Sequence, residues 1–423
     1  MRLSGHPAIA VAALTLALTG CTSGTPPAVP APRSTSTGPA VSSVAAPGCS
    51  AASAPGPQLP AGLARLSPVP GDPFGVAVTA DGRRSFVSLV PNGSGGAIGV
   101  FAGAGSASPR LVRQIPVSGT GLGVTLTPDG RYLLAANGSG ATVVSVQAAE
   151  RSSGNAVLGA LSSGGSGPAG GAIEVATSRD GRFAFVSLED SGKIAVFNLQ
   201  QALASHFRTS GFVGDVPAGV APVGLAVSPN GEWLYSTSEL RSFSELRRAA
   251  HHGTLGLELG GQGTLAVISV HKAEADPAHA IVSTVTAGCS PVRVITSTSG
   301  TVWVTARGSD MLLGFSAARL RGDPAHSLIA RAQVGEAPVG LALVDSGQRV
   351  VVADSNRFGK RGARSSLAVV NVAAALAHRP ALAGYLPAGG FPRQMALEPD
   401  GHVLLVTDFG SQQLETVNVT NLP

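Results

Sequence analysis

The sequence predicts an all-β chain: a seven-bladed β-propeller of four-stranded antiparallel blades, its ring closed by an N-terminal strand that completes the last blade. Three observations predict it. The stretch at 221–238, APVGLAVSPNGEWLYSTS, alternates apolar residues, breaks at a Pro-Asn-Gly turn and alternates again, the pattern of an antiparallel hairpin. Near-copies recur with turn glycines at Gly82, Gly130, Gly181, Gly231, Gly300, Gly347 and Gly401, spaced by 48, 51, 50, 69, 47 and 54 residues. Seven copies at about fifty residues, each carrying strand patterns, fit propeller blades better than helical repeats. A third alternating run follows each hairpin, and a weaker fourth closes most copies. The seventh copy stops after its third strand, and the segment GLARLSPVP at 62–70 has no partner in its own copy. It is the expected missing strand, which would close the ring and remove exposed edges.

Taken in order, the chain starts with Arg2, His6 and a short apolar run at 8–18, which describes a secretory signal peptide over residues 1–20. The run is too short for a stable spanning helix. Leu18-Thr19-Gly20-Cys21 resembles the lipobox of bacterial lipoproteins. That resemblance implies that Cys21 becomes a lipidated N-terminus and that the chain is extracytoplasmic, anchored to the bacterial cell membrane. Residues 21–61 are rich in Ser, Thr, Pro, Ala and Gly with Arg33 the one charge before the repeats, and read as a flexible tether; 62–423 is the propeller. Charged residues make up 13% and the net charge is +5, too diffuse to imply a nucleic-acid partner. With Cys21 lipidated, Cys49 and Cys289 remain in an oxidising compartment, where they either pair or stay free because Cys49 lies in tether sequence.

The pattern P-x-G-[apolar]-A-V-S-P-[DN]-G-x-x-[apolar]-Y-V, clearest at 222–238, 121–137 and 338–354, resembles the YVTN-repeat family of seven-bladed propellers, which includes lactonase-like members. The resemblance covers 62–423 and implies fold more than activity, since propellers host enzymes, scaffolds and binders alike.

Seven residues before the turn glycine, four blades carry Gly75, Gly123, Gly224 and Gly340, whereas blades three, five and seven carry Glu174, Arg293 and Gln394. Glycine lets innermost strands crowd the axis, so the polar three are expected at the channel mouth, either as a ligand site or as a plug. Two insertions extend the loop after the second strand. That at 240–263 holds Arg241, Arg247, Arg248, His251 and His252, and that at 356–365 holds Arg357, Lys360, Arg361 and Arg364. Together they suggest a basic rim for an anionic ligand, or simply solvated loops. Adjacent His251 and His252 without a third ligand do not make a metal site. The repeated Asp-Pro-Ala-His at 276–279 and 323–326 reads as turn chemistry. Asn137, Asp190, Glu239, Asp354 and Asp408, with Arg307 equivalent in blade five, are expected to cap strand ends. No G-x-S-x-G, P-loop, H-E-x-x-H or CxxC motif is present, so no cofactor is expected. The leading expectation is a monomeric binding or scaffold module for an envelope protein, glycan or small anionic ligand. The alternative is a lactonase-like hydrolase, with Glu174 as base and Arg293 as electrostatic stabiliser.

Overall fold

The computed structural model describes residues 40–49, 53–90, 95–103, 109–151, 153–164, 170–240, 261–359 and 364–423. Residues 1–39, including Cys21, lie outside them, as do Arg241, Arg247, Arg248, His251, His252, Lys360 and Arg361. Among the described residues no helix is long and apolar enough to cross a membrane.

Seven antiparallel four-stranded sheets form the blades of the ring. The first strands of the blades are Asp72–Val78, Val124–Leu126, Ala172–Thr177, Val220–Val227, Pro291–Thr296, Pro338–Val344 and Pro392–Leu397, and those of neighbouring blades touch around the axis. The last sheet is completed as the sequence predicts: Ala64–Pro68 pairs antiparallel with Gln413–Asn418, Ala64 opposite Val417 and Pro68 opposite Gln413. The core is divided. Seven apolar clusters each occupy one interface between adjacent blades, from Phe86, Ile98 and Leu133 between blades one and two to Val69, Phe101 and Leu405 between seven and one. Because each blade is buried on both faces, its second and third strands read as near-continuous apolar runs.

Most first strands slip register by a bulge near the third residue, as between Pro73 and Val76 and between Pro392 and Met395. A bulge leaves one residue outside the ladder and re-aims it. The amide freed there needs an acceptor, and a hydroxyl on the second strand supplies it. Gly75, Glu174, Gly224, Arg293 and Gln394 donate their N–H groups to Ser88, Ser187, Thr237, Thr305 and Thr407 at 2.8–3.1 Å. Each hydroxyl then donates to a carbonyl of the next blade: Leu122, Val223, Val292, Val339 and, closing the ring, Phe74, at 2.5–3.1 Å. Blades two and six carry Ala136 and Ala353 there instead.

One boundary differs from the sequence reading. Residues 40–49 and 53–60, assigned to the tether, lie against the rim of blades four to six. Val41 and Ser42 pair in parallel with Thr284 and Val285, adding a fifth strand to blade four. Val44 is buried, and its N–H donates to Thr286 Oγ1 at 3.1 Å. Cys49 is disulfide-bonded to Cys289. Beyond it, Ala54 N–H donates to Val334 O, Tyr385 N–H to Pro57 O, and Leu59 N–H to Tyr385 O. The reason is edge chemistry. An outer strand presents unpaired backbone groups, and backbone bonding asks nothing of side-chain composition, so a Ser/Pro/Ala/Gly-rich segment serves.

Two measurements check this architecture. Thr237→Val should lower stability by about 1–3 kcal/mol in denaturant unfolding, since it orphans the Gly224 amide and the Val292 carbonyl together. Cys49→Ser should cost about 2–4 kcal/mol while leaving the circular dichroism of the blades unchanged.

Candidate channel-mouth site

The bulges place the odd residues of the glycine layer at the axis, where they meet. Arg293 Nε lies 3.4 Å from Glu174 Oε2, and Gln394 Nε2 donates to the same oxygen at 2.5 Å. Glu174 and Arg293 are only 8% and 6% exposed, which makes this a closed cluster rather than an open funnel. Glycine elsewhere in the layer is what leaves it room. A Cβ on Gly123 would sit 2.6 Å from Glu174 Oε1, and one on Gly75 2.8 Å from Gln394 Oε1. Burial pushes the Glu174 carboxyl above its ordinary range, with the Arg293 charge only partly offsetting it.

A second set, which the sequence reading did not single out, lies one step along the strands. The residues preceding the glycine layer form an apolar collar in which Val223, Val292 and Val339 pack with Ile173 and Phe391. Blade seven puts Arg393 at this position. Its guanidinium carbon lies 3.8 Å from the centroid of the Phe74 ring, 5.1 Å from that of Phe391 and 5.4 Å from that of Phe409. The rings meet edge to face, Phe74 with Phe409 at 6.2 Å and Phe391 with Phe409 at 5.7 Å. Cation–π attraction holds the guanidinium there. Burial, then the charges of Arg293, Arg357 and Arg307, work against its cation, with Glu189 on the favourable side. Arg357, from the blade-six insertion, stands 5.9 Å over Phe391. The aligned copies did carry a signal: Arg393 is the one charge at a position otherwise filled by Phe74, Leu122, Ile173, Val223, Val292 and Val339.

Beside this cage, buried Arg307 Nη2 lies 2.9 Å from Glu239 Oε2. Glu189 faces the same group: burial, Glu239 and Asp190 raise its carboxyl to about 7, against the pull of Arg307 and Arg393. Arg307 is therefore level with Glu239, as the sequence reading has it, and with Glu189, but one residue beyond Asp354 and Asp408, which that reading also grouped with it. The blade-five hairpin is one residue shorter, pairing Thr296 with Val302 where blade four pairs Val227 with Leu234. Buried Arg293 Nη2, Arg307 Nε and Arg393 Nε have no hydrogen-bond partner among the described residues.

The remaining strand-end groups are structural. Asn137 Nδ2 donates to Ser118 O of the entering loop and to Thr142 Oγ1. Asp354 is fully buried, accepts from Ser366 Oγ at 3.2 Å, and is driven well up by burial. Asp276 and Asp323 bind His279 and His326 at 2.9 Å within their own exposed turns. Among the described residues no three His, Cys, Asp or Glu side chains are grouped to hold a metal ion. Asp408 and Glu415 are close acidic neighbours, both fully buried in blade seven, and burial above all lifts them to about 9 and about 8. Acids raised on folding bind protons that the unfolded chain has already released, so their stabilising contribution is present at low pH and lost as pH climbs through 8 to 9. Denaturant midpoints should therefore fall between pH 5 and pH 9, and Asp408→Asn should flatten that fall.

A family model described as "Lactonase, 7-bladed beta-propeller" matches residues 118–357. No curated protein sequence matches the chain. Among solved structures, a chain of Kuenenia stuttgartiensis hydrazine synthase is similar over 82% of this chain and 96% of its own, with a TM-score of 0.62 and 14% identity, a likeness of fold alone. With its seven blades and its matched repeats, the chain belongs to the seven-bladed β-propeller lactonase family.

Proposed function

We propose that the protein is a membrane-anchored, extracytoplasmic propeller that binds a small anionic ligand at the channel mouth without turning it over. One observation carries the reading: Arg293, Arg307 and Arg393 converge there, and each keeps a buried N–H group with no partner among the described residues. An unpartnered buried donor costs about 1–3 kcal/mol, and an incoming oxyanion supplies the missing acceptors while relieving repulsion among the guanidinium groups. Arg357 extends the cationic side of the mouth. The Glu174–Arg293–Gln394 cluster then serves as the floor that closes the channel beneath the ligand. Anchoring through Cys21 rests on Leu18–Cys21, outside the described residues; the Cys49–Cys289 bond supports an oxidising compartment.

A specific observation favours a second reading. Glu189, with its carboxyl near 7 beside Arg307 and Arg393, has the proton affinity of a general base that activates water, with the guanidinium groups stabilising the oxyanion of an opening lactone. Glu189 suits that role better than Glu174, which is locked between Arg293 and Gln394.

Calorimetric titration of the full-length chain with gluconate, alongside a δ-gluconolactone hydrolysis assay, separates the two. Binding should be saturable, weaken at least about tenfold in Arg393→Gln, and come with no lactone opening above buffer. Opening that Glu189→Gln abolishes would establish the hydrolase reading instead. Gluconate affinity indifferent to both Arg393→Gln and Arg357→Gln would remove the channel mouth as the anion site.

A further inference from the structure

The face opposite the channel mouth carries the turns that join first and second strands. Between blades four and five it opens into a cavity of about 260 Å³ whose lining includes Ser228, Asn230, Trp233, Tyr235, Ser297 and Arg321. Arg321 is the only charged residue in that lining. Its Nη1 donates to Ala317 O at 2.7 Å, and its guanidinium carbon stands 4.9 Å from the centroid of the Trp233 ring, which fixes the group against the indole. The turn hydroxyls are already engaged: Ser228 Oγ donates to Asn230 Oδ1 at 2.6 Å, and Ser297 bonds Ser299 and Thr301.

Tyr235 is the exception. It is 1% exposed, yet its hydroxyl has no hydrogen-bonded acceptor among the described residues. Arg321 faces it but has only donors to offer, so the phenolic hydrogen is unmatched. The fold does not ask for that hydroxyl. At the equivalent point of the second strand, blades one, two, three, six and seven carry Phe86, Leu134, Phe185, Val351 and Leu405. A buried hydroxyl without an acceptor, where phenylalanine packs equally well in two sister blades, is a cost with no structural return.

We propose that this inter-blade cavity is a second binding site, for a small organic carboxylate. The carboxylate would accept from the Tyr235 hydroxyl and the Arg321 guanidinium, with its carbon body against the Trp233 indole. A neutral polyol would satisfy the hydroxyl but leave the guanidinium without a counter-charge. A cation would meet Arg321. A mostly apolar pocket with two convergent donors is the usual form of a small-acid site.

The chain has two tryptophans and Trp303 is fully buried, so in a Trp303→Phe background the fluorescence of Trp233 reports on this cavity alone. Titration of the full-length chain with benzoate should give a saturable change, while benzyl alcohol and N-acetylglucosamine give none. Arg321→Gln should weaken benzoate at least about tenfold, and Tyr235→Phe about fivefold or more, with thermal stability little changed in the latter because a hydroxyl hydrogen without an acceptor is removed and phenylalanine fills the same point in two other blades. Arg393→Gln should leave benzoate binding unchanged, which keeps this site separate from the channel mouth. Lack of saturation with benzoate, equal binding of benzyl alcohol, or full affinity in both Arg321→Gln and Tyr235→Phe would each overturn the proposal.

Discussion

The hydroxyl bridge from a bulged first strand to the carbonyl of the next blade is the interaction on which the rest of this molecule depends. Sheets packed face to face around an axis have no backbone ladder between them, and apolar contacts alone would let blades slide. Ser88, Ser187, Thr237, Thr305 and Thr407 each accept from their own blade and donate to the next, which fixes the angular step between blades. The final bridge, Thr407 to Phe74, spans the junction that the closing strand also seals. Geometry of this kind is directional where the hydrophobic effect is not.

The same bridges set the chemistry at the axis. Three of the five amides they hold belong to Glu174, Arg293 and Gln394, so the closed polar cluster inherits its positions from the girdle and not from loops. One residue earlier on each strand lies the collar, and there Arg393 replaces an aliphatic side chain. Phe74, Phe391 and Phe409 solvate its charge with ring faces, but rings accept no classical N–H bond. The mouth thus combines a rigid frame with donors that lack acceptors among the described residues, the arrangement on which the proposed anion site rests.

Much of this was legible in the sequence because the repeat is written in local signals: alternation, turn glycines and the spacing between them. The register of Gly75, Gly123, Glu174, Gly224, Arg293, Gly340 and Gln394 follows from those signals, and so does their meeting at one axis. What escaped depended on neighbours far along the chain. The level of Arg307 turns on a single residue missing from the blade-five hairpin. The cage of Arg393 needs Phe74, which precedes it by more than three hundred positions. Tyr235 reads as one more core aromatic until the absence of an acceptor is seen. The docking of residues 40–49 and 53–60 is carried mainly by backbone groups, to which composition is blind.

That docked segment also determines how the ring bears load. A pull applied from the N-terminal side of residue 41 meets the parallel pairing at Val41 and Ser42 first and the covalent stop at Cys49–Cys289 next. Force is diverted into the wall between blades four and five, and the closing strand Ala64–Pro68, whose five-pair ladder would otherwise take the pull, stays slack. A ring laced in this way can be tugged at its N-terminal side without being unzipped.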